Sequence, residues 1–129
     1  MRLALDTNTY RAFMDGQTRA VALVREAEFI GLPVPVIAEL RVGFLGGTRG
    51  RLNEAALGRF LDSPRVHVLP CDEQTSHFYA PLIGQLKRHG TPIPINDVWI
   101  AALTLQHQCL LYTLDSDFDR LAQLPRAWP

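Results

Sequence analysis

Residues 2–10, RLALDTNTY, decide how the rest of the chain is read. Arg2–Leu5 is a short apolar run, the pattern of a strand covered on both faces, and it ends at an acid, Asp6. Thr7–Met14 then carries helical spacing until Asp15-Gly16 breaks it. A buried strand that passes through an acid straight into a helix is the first half of a βα unit.

The same alternation continues outward. Thr18–Glu28 reads as a helix, Phe29–Leu32 as a strand, and Val34–Gly46 as a helix with Pro35 in its first turn and Gly46-Gly47 ending it. Leu52–Leu61 is a further helix and Val66–Leu69 a further strand. Asp72 opens a helix that runs to about His89 and stops at Gly90; Pro81 within it predicts a kink or a break. Asn96 or Asp97 is expected to cap the apolar helix Val98–Gln106, which leads into a strand, Leu110–Leu114, and a helical turn near Asp117–Leu121. The last residues, LPRAWP (124–129), read as an edge strand or a tail, because two prolines exclude a central strand. Strands alternating with helices predict an α/β sandwich on a mostly parallel sheet, with helices covering both faces.

A chain of 129 residues fits one domain, residues 1–129, with a core that needs no disulfide. No apolar run reaches the roughly 20 residues of a membrane helix, and Asp6 interrupts any leader-like start, so the expected location is the cytoplasm, away from membranes. Cys71 and Cys109 lie far apart, and neither they nor His67, His77, His89 and His107 form a zinc pattern. Thirteen basic residues balance thirteen acidic ones. Setting aside Asp6, Glu39, Asp97, Asp115 and Asp117 leaves eight acids against thirteen bases, a surface suited to a polyanion once a cation neutralises those five.

The five stand apart because of where they fall. Asp6 and Asp115 end two strands, and in open parallel sheets the crevice beyond the carboxyl ends is where ligands bind. Asp97 sits at a helix start, where free N–H groups favour a carboxylate. Glu39 lies among Ile37, Ala38 and Leu40, and its nearest base, Arg41, is at the wrong helical spacing to pair with it. Each acid also has an ordinary reading as a cap, a turn residue or a solvated side chain. Their convergence is what matters: two carboxylates about 4 Å apart repel by roughly 4 kcal/mol at an effective dielectric near 20, so a cluster calls for a proton or a cation. Oxygen donors without His or Cys select a hard ion, Mg²⁺ or Mn²⁺, and the chemistry such an ion suits is phosphodiester hydrolysis.

Four segments together resemble the PIN-domain nucleases of the VapC type: LALDTNTY (3–10), IAELRVGF (37–44), INDVWIAALTLQH (95–107) and LLYTLDSDFDRL (110–121). They occur in the family's order across nearly the whole chain. The resemblance implies a three-layer α/β/α sandwich, a Mg²⁺-dependent endoribonuclease and inhibition by a cognate antitoxin protein. It assigns Asp6, Glu39, Asp97 and Asp115 as the catalytic and metal-binding acids, with Asp117 as a possible fifth. Thr7, Asn8 and Thr113 match small polar positions beside them, and Arg41 matches a frequent family arginine that binds phosphate or pairs with a surface acid. A homodimer is expected, with apolar surface on the early helices (Tyr10, Phe13, Met14, Val21, Val24) available to a partner unless it packs into the core. Two alternatives are open. One is a catalytically inactive module of the same fold whose acidic pocket docks a basic partner. The other is an aspartyl phosphotransferase, disfavoured because position 8 is Asn and Lys87 lies in the wrong context.

Overall fold

In the computed structural model, which describes residues 1–127, four strands form one parallel sheet: β1 (Arg2–Leu5), β2 (Phe29–Pro33), β3 (Val66–Leu69) and β4 (Leu110–Tyr112). Their order is β3-β2-β1-β4. The chain steps outward from β1 through β2 to β3, then returns to place β4 on the other side of β1. The strand order therefore reverses between β1 and β4, which opens a crevice at their carboxyl ends. Leu3, Ala4 and Leu5 are fully buried, as a strand covered on both faces requires.

The connections are helical: α1 (Thr7–Met14), α2 (Thr18–Glu26), α3 (Val34–Gly46), α4 (Gly50–Asp62), α5 (Glu73–His89) and α6 (Ile95–Gln106). Helices on the two faces of the sheet make the expected α/β/α sandwich. Asp6 caps α1 in a reciprocal box with Thr9, and Asp72 caps α5 in the same way with Thr75. Gly90 ends α5 in the left-handed region (φ 64°), the conformation a glycine adopts without strain.

Several boundaries differ from the expectation. Helix α2 stops at Glu26, two residues early, because the Arg65 guanidinium reaches over from the start of β3 and donates to the Val24 and Ala27 carbonyls. Helix α5 runs through Pro81 unbroken; that residue is exposed, on the side where water can replace a missing helical hydrogen bond. Neither Asn96 nor Asp97 caps α6. Pro94 takes the cap position, its carbonyl accepts the N–H groups of Asp97 and Val98, and Asp97 lies inside the first turn. Strand β4 ends at Tyr112, two residues early, because the Thr113 hydroxyl turns inward to bond Asp6 and the Asp115 amide. The C-terminal segment meets the sheet through one parallel bridge, Leu111 to Arg126, so an edge pairing forms; Trp128 and Pro129 lie outside the described residues.

Of the apolar residues on the early helices, Tyr10 and Val24 belong to the core, Phe13 packs against Phe60, and Met14 remains 42% exposed. Trp99 stacks on Tyr79 with ring centroids 3.8 Å apart, tying α6 to α5. Both cysteines are free thiols.

Candidate metal centre

Acids from four separate elements meet at the carboxyl end of the sheet. Asp6 follows β1, Glu39 stands midway along α3, Asp97 lies in the first turn of α6, and Asp115 follows β4. All four line one cavity of about 340 Å³, together with Thr7, Asn8 and Arg11. The β1/β4 reversal puts Asp6 and Asp115 side by side, and α3 and α6 close over them with Glu39 and Asp97.

Local chemistry holds each carboxylate in place. Asp6 is 5% exposed. Its Oδ1 accepts the Thr9 N–H at 2.9 Å, and its Oδ2 accepts the Thr113 hydroxyl at 2.5 Å. Glu39 accepts the Thr7 hydroxyl at 2.7 Å on Oε2 and the Asn96 amide at 3.0 Å on Oε1. Asp115 accepts the Asp117 N–H at 2.9 Å, which starts the short 3₁₀ turn Ser116–Arg120. Asp6 Oδ2, both Glu39 oxygens and Asp115 Oδ1 each keep a lone pair for a further partner.

Among the described residues no basic side chain forms an ion pair with these four acids. The ion pairs among the described residues join the N-terminus to Glu28, Arg41 to Glu54, Arg120 to Asp117 and Arg126 to Asp119, and none involves Asp6, Glu39, Asp97 or Asp115. The consequence is plain at Asp97. Burial, followed by the charges of Asp115, Glu39, Asp6 and Asp117, pushes its carboxyl up from 3.8 to about 6. Oxygens of Asp97, Asp115 and Asp117 lie within 4.8 Å of one another, close enough for one ion. The donor set is all carboxylate, Asp117 alone of these acids has an ion pair (to Arg120 at 3.8 Å) and the oxygens converge, so the residues present fit a hard divalent cation.

The acids singled out in the sequence are thus brought together, with one change of emphasis. Asp117 joins Asp97 and Asp115 in the tightest group, while Asp6 and Glu39 stand against the same cavity already hydrogen-bonded. Thr7, Asn8 and Thr113 are at the site. Arg41 is not. Its guanidinium pairs with Glu54 through two bonds, 2.9 and 3.3 Å, beside an apolar groove lined by Phe44 and Leu45. Residues two apart on a helix point in different directions, and Glu54 on α4 claims the one that faces away. Sequence reasoning missed Asn96 and Arg11. The sequence marks Asn96 as a candidate cap. Arg11 lies one helical turn after Thr7, a spacing that could have placed both on one face of α1.

Thr113 ties two acids at once, donating to Asp6 and accepting from the Asp115 amide at 3.0 Å. Thr113→Val is therefore expected to cost about 1–2 kcal/mol of stability in urea denaturation. It should also weaken divalent binding roughly tenfold, as loss of a group that orients ligands does. Unchanged metal affinity by calorimetry would show that the hydroxyl orients nothing.

The fold and this acidic pocket define a nuclease-like class of α/β domain, and comparison with known proteins is consistent with it. The PIN-domain family model matches residues 3–124. The chain belongs to the PIN-domain family. It is 30% identical over 117 residues to the protein named Ribonuclease VapC5 of Mycobacterium tuberculosis, covering 91% of this chain and 85% of that one. The solved structure of VapBC-1 from nontypeable Haemophilus influenzae superposes with a TM-score of 0.86 at 28% identity, covering 98% of this chain and 97% of that one. VapBC-5 of M. tuberculosis, described as a member of the VapBC family of toxin–antitoxin systems, superposes with a TM-score of 0.75 at 27% identity, covering 98% of this chain and all of that one (100%).

Proposed function

We infer that this chain is a divalent-metal-dependent endoribonuclease and the toxin of a toxin–antitoxin pair. The observation that carries the reading is the convergence of carboxylates from four elements on one cavity with no ion pair to any of the four. Relatives named as VapC ribonucleases and solved as VapBC assemblies support the substrate class and the kind of partner.

In this mechanism Asp97, Asp115 and Asp117 hold the cation, which is Mg²⁺ with Mn²⁺ as a substitute. Asp6 stands beside them, fixed by Thr9 and Thr113, and adds negative charge to the pocket. Glu39, held by Thr7 and Asn96, orients a water molecule toward the phosphodiester and accepts its proton at a carboxylate oxygen. When bound, the ion supplies water activation and stabilises charge on the phosphoryl oxygens. Cleavage leaves a 3′-hydroxyl and a 5′-phosphate. Residues 1–129 act as one nuclease domain in the cytoplasm, as a homodimer. The antitoxin silences the enzyme by placing a basic side chain among the acids, where it competes with the cation. No helix among the described residues is long and apolar enough to cross a membrane.

The test is total RNA incubated with the purified protein and Mg²⁺, Mn²⁺ or a chelator, with the cut ends mapped. Cutting that depends on a divalent ion and leaves 5′-phosphates is the expected result. A pocket that binds neither ion by calorimetry, in a protein that cuts nothing, would make it a docking module instead.

A further inference from the structure

One cation lines the acidic cavity and neutralises nothing in it. The Arg11 side chain, on α1 one turn beyond Thr7, borders the same space as Asp6, Glu39, Asp97 and Asp115. Yet its guanidinium makes no ion pair or hydrogen bond among the described residues. Arg11 is exposed and lies against the neighbouring helix where that helix carries no side chain. A β-carbon at Gly43 would lie 3.1 Å from Arg11 Nη2, so the bare backbone of α3 makes room for the guanidinium. Gly43 is one turn beyond Glu39, so the guanidinium sits beside the acidic cluster without entering it.

Arg11 also lines a second cavity, of about 230 Å³, between α1, α3 and α4, bordered by Tyr10, Phe44 and Asn53. It therefore stands where the two cavities meet. A charged side chain that is unpaired and solvated beside a cation-binding pocket is a ready anion receptor, and the planar guanidinium fits a phosphate through two parallel bonds.

We propose that Arg11 binds the backbone phosphate next to the scissile one, guiding the RNA strand from the acidic pocket toward the α1–α3–α4 cavity. This rests on the endoribonuclease reading. The contact is present before and during bond cleavage alike, so it contributes uniform binding: it lowers KM and leaves kcat nearly unchanged. As a phosphate contact, it acts on RNA of any sequence.

Arg11→Gln and, as a control for loss of one positive charge, Arg25→Gln on the exposed end of α2 are compared with the parent enzyme in Mg²⁺. Arg11→Gln should raise KM about tenfold with kcat within about twofold, and Arg11→Lys should recover part of the loss. Direct RNA binding, measured by fluorescence anisotropy with Asp6→Asn protein so that nothing is cut, should weaken to match. The slope of log affinity against log salt should become shallower by about 0.7 when Arg11→Gln is added. Arg25→Gln should leave KM within about twofold. Parent enzyme that cuts RNA while Arg11→Gln leaves KM and the salt slope unchanged would overturn this assignment and leave the nuclease intact. A fall in kcat without a rise in KM would also overturn it, placing Arg11 in the bond-breaking step. If the parent itself cuts nothing in either divalent ion, the nuclease reading fails first, and that result is distinguishable from both.

Discussion

Replacing Asp6 by Asn is expected to silence RNA cleavage, by about 10²–10³-fold or more, while the protein stays folded. The substitution separates the two tasks of this residue. As a cap, Asp6 accepts the Thr9 N–H at the start of α1, and Asn is as good a cap as Asp. As a carboxylate, it adds a charge to the cavity that Asn cannot supply. Losing the favourable interaction with the helix end costs about 0.3–1 kcal/mol, and relief of repulsion with Asp97 offsets part of it. Asn keeps an acceptor for Thr9 but turns an NH2 toward the Thr113 hydroxyl, so the melting temperature should fall by a few degrees, with the near-ultraviolet circular dichroism spectrum retained. Cleavage at the parent rate in Mg²⁺ by the folded variant would show that the charge of Asp6 is not what the pocket uses.

The second large effect concerns Asp97 and pH. In the folded protein its carboxyl holds a proton up to about pH 6, whereas its ordinary value is 3.8. Between these values the folded state binds more protons than the unfolded one, so stability falls as pH rises and the full penalty is present above pH 6. This is the reverse of a salt-bridged aspartate. The gap corresponds to a ceiling of about 3 kcal/mol. At a partly exposed site, screening by solvent lowers it to about 1–2 kcal/mol.

Metal-free protein should therefore melt at a higher temperature at pH 5 than at pH 8. Asp97→Asn should remove that difference and raise the pH 8 melting temperature by about 3–8 °C. The same variant should lose cleavage and most of the stabilisation that Mg²⁺ gives the parent. Protons and the cation compete for the same oxygens, so Mg²⁺ should stabilise the parent more at pH 8 than at pH 5. Metal-free protein whose melting point is flat from pH 5 to pH 8 would show that the four neighbouring acids do not repel Asp97 as argued.

Asp97 exchanges stability for function. The charge of Asp97 destabilises the metal-free fold, and a sequence chosen for stability alone would not retain it. Buried like charges persist where a ligand relieves them, which is the physical content of reading such a cluster as a site. The docking alternative makes the opposite forecast for Mg²⁺, so calorimetry separates the two. Arg41 carries a caution about motif matching. It occupies a frequent family position, yet in this chain Glu54 holds it away from the acids. Arg11, which no motif marks, is the cation at the cavity.

Local chemistry was legible directly from the residues. The apolar runs at Arg2–Leu5, Phe29–Leu32 and Val66–Leu69, the caps at Asp6 and Asp72 and the stop at Gly90 depend on neighbours within a turn or a strand, so their signals lie in adjacent positions. The acids could be nominated for the same reason, since each interrupts an apolar pattern or ends an element. What the linear order could not decide was set by groups distant along the chain. Thr113 turned β4 short by reaching back to Asp6, Arg65 ended α2, and Asn96 left its expected capping role for Glu39. The directions of Arg11 and Arg41 depended on Gly43 and Glu54, residues on other helices. Backbone preference is a local energy and can be read locally. Which charge faces which is settled only once the sheet order β3-β2-β1-β4 has brought the strand ends together.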